Sequence, residues 1–589
     1  MSALLRRHAP AFAVALLALA ATITSLGHDF TYDDRYVILG NDLVHHLAGL
    51  GALWRQTYWP AAFGADGYRP VVTTMFTLEW VAGHGAPWVF HLVNIVLAVA
   101  TAVAVRWCAA ALLPEAGAFV AGALFAVHPV HVEVTGNVVG QSELVVALCL
   151  VLAVGLYLRR RLEGGIPGRD AALILALFAV ALFTKEHAVV LPGLLVAAEL
   201  AVIRRDDWRT RLRQARPLGL ALVAIGLAYL AARGLVQRGL TGFEPFPVFR
   251  FLHLGPVDRV LTMMNEMPRV ARLLVFPAHL SGDYSPLDVT VANGFDLAAL
   301  PGLMITLGVV VLAVALRRRA PVVSFGLCWL VVAYLPVSNL LLPAGFITAE
   351  RTLFFPSVGV MLVAGAVATQ LFAADAVRVQ RVAWSAVAVL VLLGAARSIA
   401  RQRVWKNNDV FVQALLHDAP NGYRAHFLSG RHLAQKGDGR GMELEYRHAM
   451  RLFPYDAGMT LSIADAYTRN GLYKPASDLF EWTYSVEPNT GQGRYEYVYS
   501  LARLERWGDV RREALAGIGL VAPHDVSLMH QAIIAAHSAL GKGAATLPQS
   551  ASFLQNPVGR RARPGLDAPR KSKPGNDLRQ ASGVVRALP

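Results

Sequence analysis

The sequence predicts an all-α protein: a polytopic bundle of about eleven membrane spans, followed by a helical-repeat solenoid on the outer side of the membrane. Three observations predict it. The chain is 55% hydrophobic and only 16% charged, with a mean hydropathy of +0.44, whereas a soluble domain carries roughly 25% charge. Its net charge of +15 comes from Lys/Arg runs between apolar stretches and from a basic tail. That is the pattern of the positive-inside rule, and it argues against a nucleic-acid partner. Finally, proline recurs at a fixed interval after residue 400. The three cysteines, Cys108, Cys149 and Cys328, each lie in an apolar stretch and read as small buried hydrophobes, not as a disulfide set or a metal site.

The N-terminal Arg6-Arg7 followed by apolar Ala9 to Leu26 has the look of a secretory signal. Because many further spans follow, an uncleaved signal anchor is the preferred reading. Stretches able to cross roughly 30 Å of hydrocarbon fall at about 9–26, 88–113, 117–132, 143–158, 170–184, 188–203, 217–234, 298–316, 321–341, 352–374 and 382–397. With Arg6-Arg7 inside and one crossing per span, Arg159-Arg160-Arg161, the run from Arg204 to Arg216, Arg317-Arg318-Arg319, and Arg378 with Arg381 all fall inside. The same count puts five polar clusters outside. They are Tyr32-Asp33-Asp34, His128-Pro129-Val130-His131-Val132-Glu133, Thr184-Lys185-Glu186-His187, Asp283-Tyr284 and Glu350-Arg351.

Residues 27–87 form a long outer loop whose Trp54, Tyr58, Trp59, Tyr68 and Trp80 suit the headgroup level. Residues 235–297 are too polar to cross and predict an amphipathic helix lying in the interface. After Ile399, Pro420, Pro454 and Pro488 are spaced by 34 residues and Pro523 follows after 35. That is the tetratricopeptide period, with proline closing each helical hairpin. Gly430, Tyr446, Ala449, Ala464, Tyr467, Ala476 and Phe480 fall at the helix-packing positions. The predicted organisation is a membrane domain over 1–400, repeats over 405–541, and a disordered basic tail over 542–589.

Ionisable groups at membrane depth are costly and mark function. Asp33 and Asp34 are either a solvated interfacial turn or a general base with an orienting partner, since two close carboxylates raise one pKa. Carboxylates also suit Mg²⁺ or Mn²⁺, so a divalent metal stays open. His128, His131 and Glu133 offer metal ligands or a hydrogen-bonded helix end, and Pro129 argues against a regular helix there. Gln141-Ser142-Glu143 reads as a helix cap. Lys185-Glu186 is a local ion pair or a phosphate contact, Asp283-Tyr284 a turn after Gly282, and Arg351 an anion site or a snorkelling partner of Glu350. Arg69, in Tyr68-Arg69-Pro70, has the same two readings. No Ser/His/Asp arrangement and no phosphate-cradling glycine loop is present. A base with several cations suits group transfer from a phosphate-linked donor, and membrane burial makes that donor a lipid.

Tyr32-Asp33-Asp34, Tyr68-Arg69-Pro70, Phe90-His91 with Asn94, His128 to Glu133, Thr184-Lys185-Glu186 and Glu350 to Ser357, in that order, resemble the transmembrane and tetratricopeptide-repeat-containing proteins. These are relatives of the protein O-mannosyltransferases in the C-type glycosyltransferase superfamily. The resemblance spans residues 28–525. It implies a polyprenyl-phosphate sugar donor, action from the extracytoplasmic side with inversion, and a first-loop acidic pair whose leading Asp, here Asp33, is the base. The relatives' second acid is Glu where this chain has Asp34. Their Gly-Arg-Ala-Asp stretch appears as Gly140-Gln141-Ser142-Glu143, without the arginine.

The expectation is therefore an inverting glycosyltransferase of a bacterial inner membrane, a mannosyltransferase among the options, with its motif loops and repeats periplasmic. Asp33 and Asp34 are assigned to catalysis, and Arg351, Lys185 and Arg69 to the donor phosphate. His128, His131, Glu133, Glu186, Glu350, Asp283 and Tyr284 line the cavity. The acceptor is a hydroxyl of a protein, glycan or lipid, and a protein or glycan would dock on the repeats. The rivals are a polysaccharide ligase or polymerase and a non-enzymatic membrane scaffold.

Overall fold

The computed structural model describes residues 3–60, 66–203, 207–237, 255–285, 289–292, 294–341, 343–521 and 523–542. The predicted tail lies outside them, as does the part of the predicted interfacial segment over 238–254. Among the described residues the architecture is helical throughout, and it divides into two compact units that meet in sequence at Pro420 and Asn421.

In the first unit the helices are α1 (Ala3–Thr22), α2 (Pro70–Gly83), α3 (Pro87–Ala109), α4 (Glu115–Ala126), α5 (Gln141–Glu163), α6 (Gly168–Thr184) and α7 (Leu191–Ala201). They continue as α8 (Trp208–Gln237), α9 (Pro256–Val275), α10 (Leu300–Ala315), α11 (Pro321–Tyr334), α12 (Ser357–Phe372), α13 (Val377–Gln402) and α14 (Asn408–Asp418). Proline opens α2, α3, α9 and α11, where its missing N–H goes unused.

Among the described residues six helices are long and apolar enough to cross a membrane: those at 8–27, 87–109, 138–163, 209–237, 297–315 and 377–405. A seventh is added if α4 and the segment Pro129–Gly136, bent by 47° at the break, count as one span. Eleven spans are expected from the sequence; by helix length and apolar composition the described residues supply six or seven. The apolar stretches at 170–184 and 188–203 become helices of 17 and 11 residues. Those at 321–341 and 352–374 are cut to Pro321–Val337 and Ser357–Phe372, interrupted by Pro336 and Pro356.

Helix α5 is the hub. It is buried along most of its length and packs on α3 and α6, while α4 packs on α3 and α12. Glycine permits the closest crossings. A β-carbon on Gly326 would stand 2.6 Å from the Gly359 carbonyl oxygen, and one on Gly117 would stand 2.7 Å from that of Gly365. Small residues at such crossings let membrane helices approach without a hydrophobic drive between them. Cys108 and Cys149 are buried and all three cysteines are free. Helix α9 buries Met263, Met264, Met267 and Leu273 while Val257 and Val275 stay exposed, so it is amphipathic.

The second unit consists of α15 (Tyr423–Lys436), α16 (Gly439–Leu452), α17 (Ala457–Arg469), α18 (Tyr473–Val486), α19 (Arg494–Arg503), α20 (Trp507–Gly517) and α21 (Pro523–Lys542). Successive helices pair α15 with α16, α17 with α18, and α19 with α20. Asp438 and Asp456 cap two of them by accepting from the N–H groups of Gly441 and Met459, each at 2.9 Å. Pro454 and Pro488 follow the second helix of the first two pairs. Tyr446, Ala449, Ala464, Tyr467, Ala476 and Phe480 are all buried. Gly430 is needed where it stands: a β-carbon there would be 2.5 Å from the Tyr446 ring.

Candidate functional site

The acidic loop leaves α1 through a tight turn at Ile23–Gly27 and runs extended to Thr31. Tyr32 then adopts φ +55°, a left-handed conformation unusual for a non-glycine residue and often found where a site stores strain. A strap from the far end of the unit holds it there. Thr31 donates to the Trp405 carbonyl at 3.3 Å, and the Asp29 N–H donates to the Lys406 carbonyl at 2.9 Å. Tyr32 N–H donates to Asn408 at 3.4 Å, and its ring lies 5.0 Å from that of Phe411.

The two acids of the loop are placed differently. Asp34 is fully buried. Its Oδ1 accepts from the Val139 N–H at 2.8 Å, and its Oδ2 accepts from Thr31 at 3.0 Å and Val138 at 3.2 Å. Burial pushes its pKa up to about 7 against those three donors, with Asp33 adding to the rise. Asp34 thus pins the loop to the turn before α5. Asp33, by contrast, is half-exposed, and its carbonyl accepts from Tyr36 and Val37 as the next turn begins.

Three cations, each with its own carboxylate, are electrostatically coupled to one another, and one of them, Arg351, feels the Asp33 charge. Glu133 accepts from the Arg351 backbone N–H at 2.8 Å and from its Nη1 at 2.5 Å. Lys185 donates to Glu143 at 2.6 Å, and His187 lies 3.3 Å from the other oxygen of that carboxylate. Arg69 donates to Glu186 at 3.2 Å and lies 4.5 Å over the buried Tyr58 ring. Electrostatics tie the pairs together. Burial works against the Arg351 charge, but Glu133, Asp33 and Tyr32 hold its pKa above the usual value. Burial lowers the Lys185 pKa, opposed by Glu143 and assisted by Arg69 and Arg351. Against its own burial, Glu186 is held down to about 2, chiefly by Arg69. The Arg351–Glu133, Lys185–Glu143 and Arg69–Glu186 pairs, far apart in sequence, are therefore linked through their charges, with Asp33 next to Arg351 in that field.

Glu350 and Tyr284 form a second, adjoining network. Glu350 accepts from the Tyr284 hydroxyl and from the Ser281 N–H, both at 2.6 Å. Burial raises its pKa to about 8, opposed by Arg401 and assisted by Glu133. Asp283 lies in the same turn, its N–H donating to the Ser281 hydroxyl at 3.3 Å. The histidines belong to the interior. His128 bonds the Leu274 carbonyl at 3.1 Å, and His131 bonds Ser357 at 2.9 Å between the rings of Phe125 and Phe354. Glu133 is engaged by Arg351, so His128, His131 and Glu133 do not stand together as a ligand set. Among the described residues no group of three or more His, Cys, Asp or Glu side chains is arranged to hold a metal ion.

Glu143 is the main residue that pattern reading undervalued. It sits in the first turn of α5, where a capping role is expected, yet it is buried and holds Lys185. An acid and a lysine at the ends of two separate apolar stretches were the available signal. The strap from Trp405 to Phe411 is the other. It lies in the stretch expected to open the repeats, but it packs in the first unit.

No family model matches the chain. Its homologues are protein O-mannosyl-transferases of the TMTC type. TMTC4 of Homo sapiens is 26% identical over 479 residues, covering 72% of this chain and 64% of that protein. Tmtc3 of Drosophila melanogaster is 26% identical over 494 residues, covering 72% and 53%. Tmtc2 of the same fly reaches 36% identity over 284 residues, covering 46% of this chain and 29% of that one. The chain thus spans roughly half to two thirds of the length of the first two. Among solved structures, the oligosaccharyltransferase AglB of Archaeoglobus fulgidus, in complex with an inhibitory peptide and a dolichol-phosphate, aligns with a TM-score of 0.36 at 13% identity. It covers 76% of this chain and 60% of that one.

Proposed function

We propose that this chain is a membrane glycosyltransferase of the TMTC type. It moves a sugar, mannose being the first to test, from a polyprenyl-phosphate carrier to a hydroxyl of a protein acceptor, with inversion. The observation that carries the reading is the half-exposed Asp33 carboxylate standing in the field of Arg351, whose guanidinium Glu133 orients. The names of the homologues support the reaction class.

In this reading the acceptor hydroxyl gives its proton to Asp33 as its oxygen attacks the anomeric carbon. The bond from that carbon to the phosphate oxygen breaks, its electron pair leaving with the polyprenyl phosphate. A single displacement inverts the centre. Arg351 carries five N–H donors in a planar fork, and Glu133 engages one terminal nitrogen. The rest of the fork, with Lys185 and Arg69, meets the departing phosphate. Glu143 and Glu186 hold those two cations in place, and Asp34 fixes the loop that carries the base. The α15–α21 unit reads as a tetratricopeptide stack that presents the acceptor. The membrane is a bacterial inner membrane, with the site and the stack on its periplasmic side.

The test offers protein purified into lipid nanodiscs a panel of polyprenyl-phosphate hexoses with a Ser/Thr-rich peptide, with and without a chelator. One donor should be consumed and its sugar should appear on the peptide with inverted anomeric configuration. Retention of configuration, or consumption of no donor in either condition, would defeat the reading.

A further inference from the structure

Asp34 holds the catalytic loop, but something must hold the turn that holds Asp34. That turn is Asn137-Val138-Val139, between the bent α4 span and α5. Its peptide groups are engaged at both ends. The Val138 and Val139 N–H groups donate to Asp34 at 3.2 and 2.8 Å. The carbonyls on those same two peptide groups, of Asn137 and Val138, accept from Asn94 Nδ2 at 3.0 and 3.3 Å.

A trans peptide unit is rigid and points its C=O and N–H in opposite directions. Asn94 on α3 and Asp34 on the acidic loop therefore grip two shared planes from opposite sides. Neither side chain can shift without rotating the planes away from the other. Accepting a bond at the carbonyl also polarises the peptide and strengthens the N–H bond beyond it.

The grip is itself fixed. Asn94 is fully buried, and its Oδ1 accepts from Gln141 Nε2 at 3.1 Å. Only one orientation of its carboxamide offers two N–H bonds to carbonyls and an oxygen to Gln141. The turn cannot relax toward the short helix Val132–Gly136, because the Gly140 α-carbon lies against the Val134 backbone, leaving no space even for a β-carbon. A buried carboxamide spending its polar atoms on one turn is more than helix filler, since helix α3 satisfies its own backbone without it.

We infer that Asn94 is a positioning residue for the transfer reaction, acting through the 137–139 turn and Asp34 to set the place of Asp33. The inference rests on the function proposed above. Gln141 supports Asn94 at one further remove.

The test is Asn94→Ala, with Asn94→Asp, which keeps the Oδ1 acceptor but faces two carbonyls with an oxygen. Both should lower kcat by about 10- to 100-fold while KM for the lipid donor stays within about 2-fold. In an Asp34→Asn background the same Asn94→Ala change should cost less than about 3-fold more, because the shared path is already cut. A kcat within about 2-fold of the parent, or a full loss repeated in that background, would overturn the inference. Hydrogen–deuterium exchange provides a readout independent of turnover. Asn94→Ala should deprotect peptides covering 29–37 and 137–140 and leave the middle of α5 unchanged. Unchanged protection of 29–37 would overturn the positioning role whether or not the parent transfers any sugar, whereas an inactive parent with this pattern intact would remove only the proposed activity. If Asn94→Ala does not fold, Gln141→Leu should give the same pattern at smaller size, and its absence there would equally refute the role.

Discussion

Removing Arg351 and removing Glu133 should not be equivalent, although the two residues form one pair. Glu133 is 3% exposed and takes two bonds from Arg351, through the backbone N–H and Nη1. The Arg351 side chain is 26% exposed. Arg351→Ala therefore strands a carboxylate that water cannot reach. Breaking a fully buried pair in that direction costs about 3–5 kcal/mol. Because the backbone N–H bond survives and the rim is wet, about 2–3 kcal/mol is expected here. Glu133→Gln retains an acceptor for the backbone N–H and leaves a guanidinium that reaches solvent, so its cost should be nearer 1 kcal/mol. Transfer rates should rank the same way. Loss of the fork that meets the developing phosphate charge should reduce kcat by about 10²–10³-fold. Loss of only its orienting partner should reduce it by about 10-fold. Thermal unfolding in detergent and single-turnover transfer in nanodiscs measure the two quantities. If Glu133→Gln proves more damaging than Arg351→Ala in both, the assignment of Arg351 as the phosphate contact is refuted.

Two further outcomes follow from other parts of the unit. Glu350 has its pKa raised to about 8, so its contribution to stability is full below the ordinary carboxylate value and is lost as pH rises through 8. The melting temperature of the parent should therefore fall between pH 6 and pH 9 more than that of Glu350→Gln, and parallel slopes would contradict the burial argument. Phe411→Ala removes the ring that faces Tyr32 at 5.0 Å and should let that strained residue relax. A drop in kcat of about 10-fold with donor affinity retained is expected, and unchanged kcat would show that the strap does not set the loop.

The helical class, the buried thiols and the polar clusters at the ends of apolar stretches were legible because ionisable residues beside long apolar runs are rare enough to stand out. What joins them was less so. Asp33 and Asp34 are neighbours in a line of text, but after a left-handed Tyr32 one stays half-buried in the field of Arg351 and the other is buried in the protein. Nothing in an Asp-Asp pair announces which is which. Glu143 matched a local capping pattern, and local patterns conceal partners 42 residues away. The broken helices were not legible because hydropathy sees apolar length and not the breaks at Pro129, Pro336 and Pro356. The strap at 405–411 escaped notice because the change from apolar to polar composition marks where the chain leaves the membrane, and not which body the next segment packs on.

The most direct measurement is single-turnover sugar transfer by Asp33→Asn beside the parent, at equal protein and with donor binding measured in parallel. The account predicts donor affinity within about 3-fold and a transfer rate lower by about 10³-fold or more, since the carboxamide keeps the shape and cannot take the proton. Transfer at the parental rate with Asp33→Asn would contradict it.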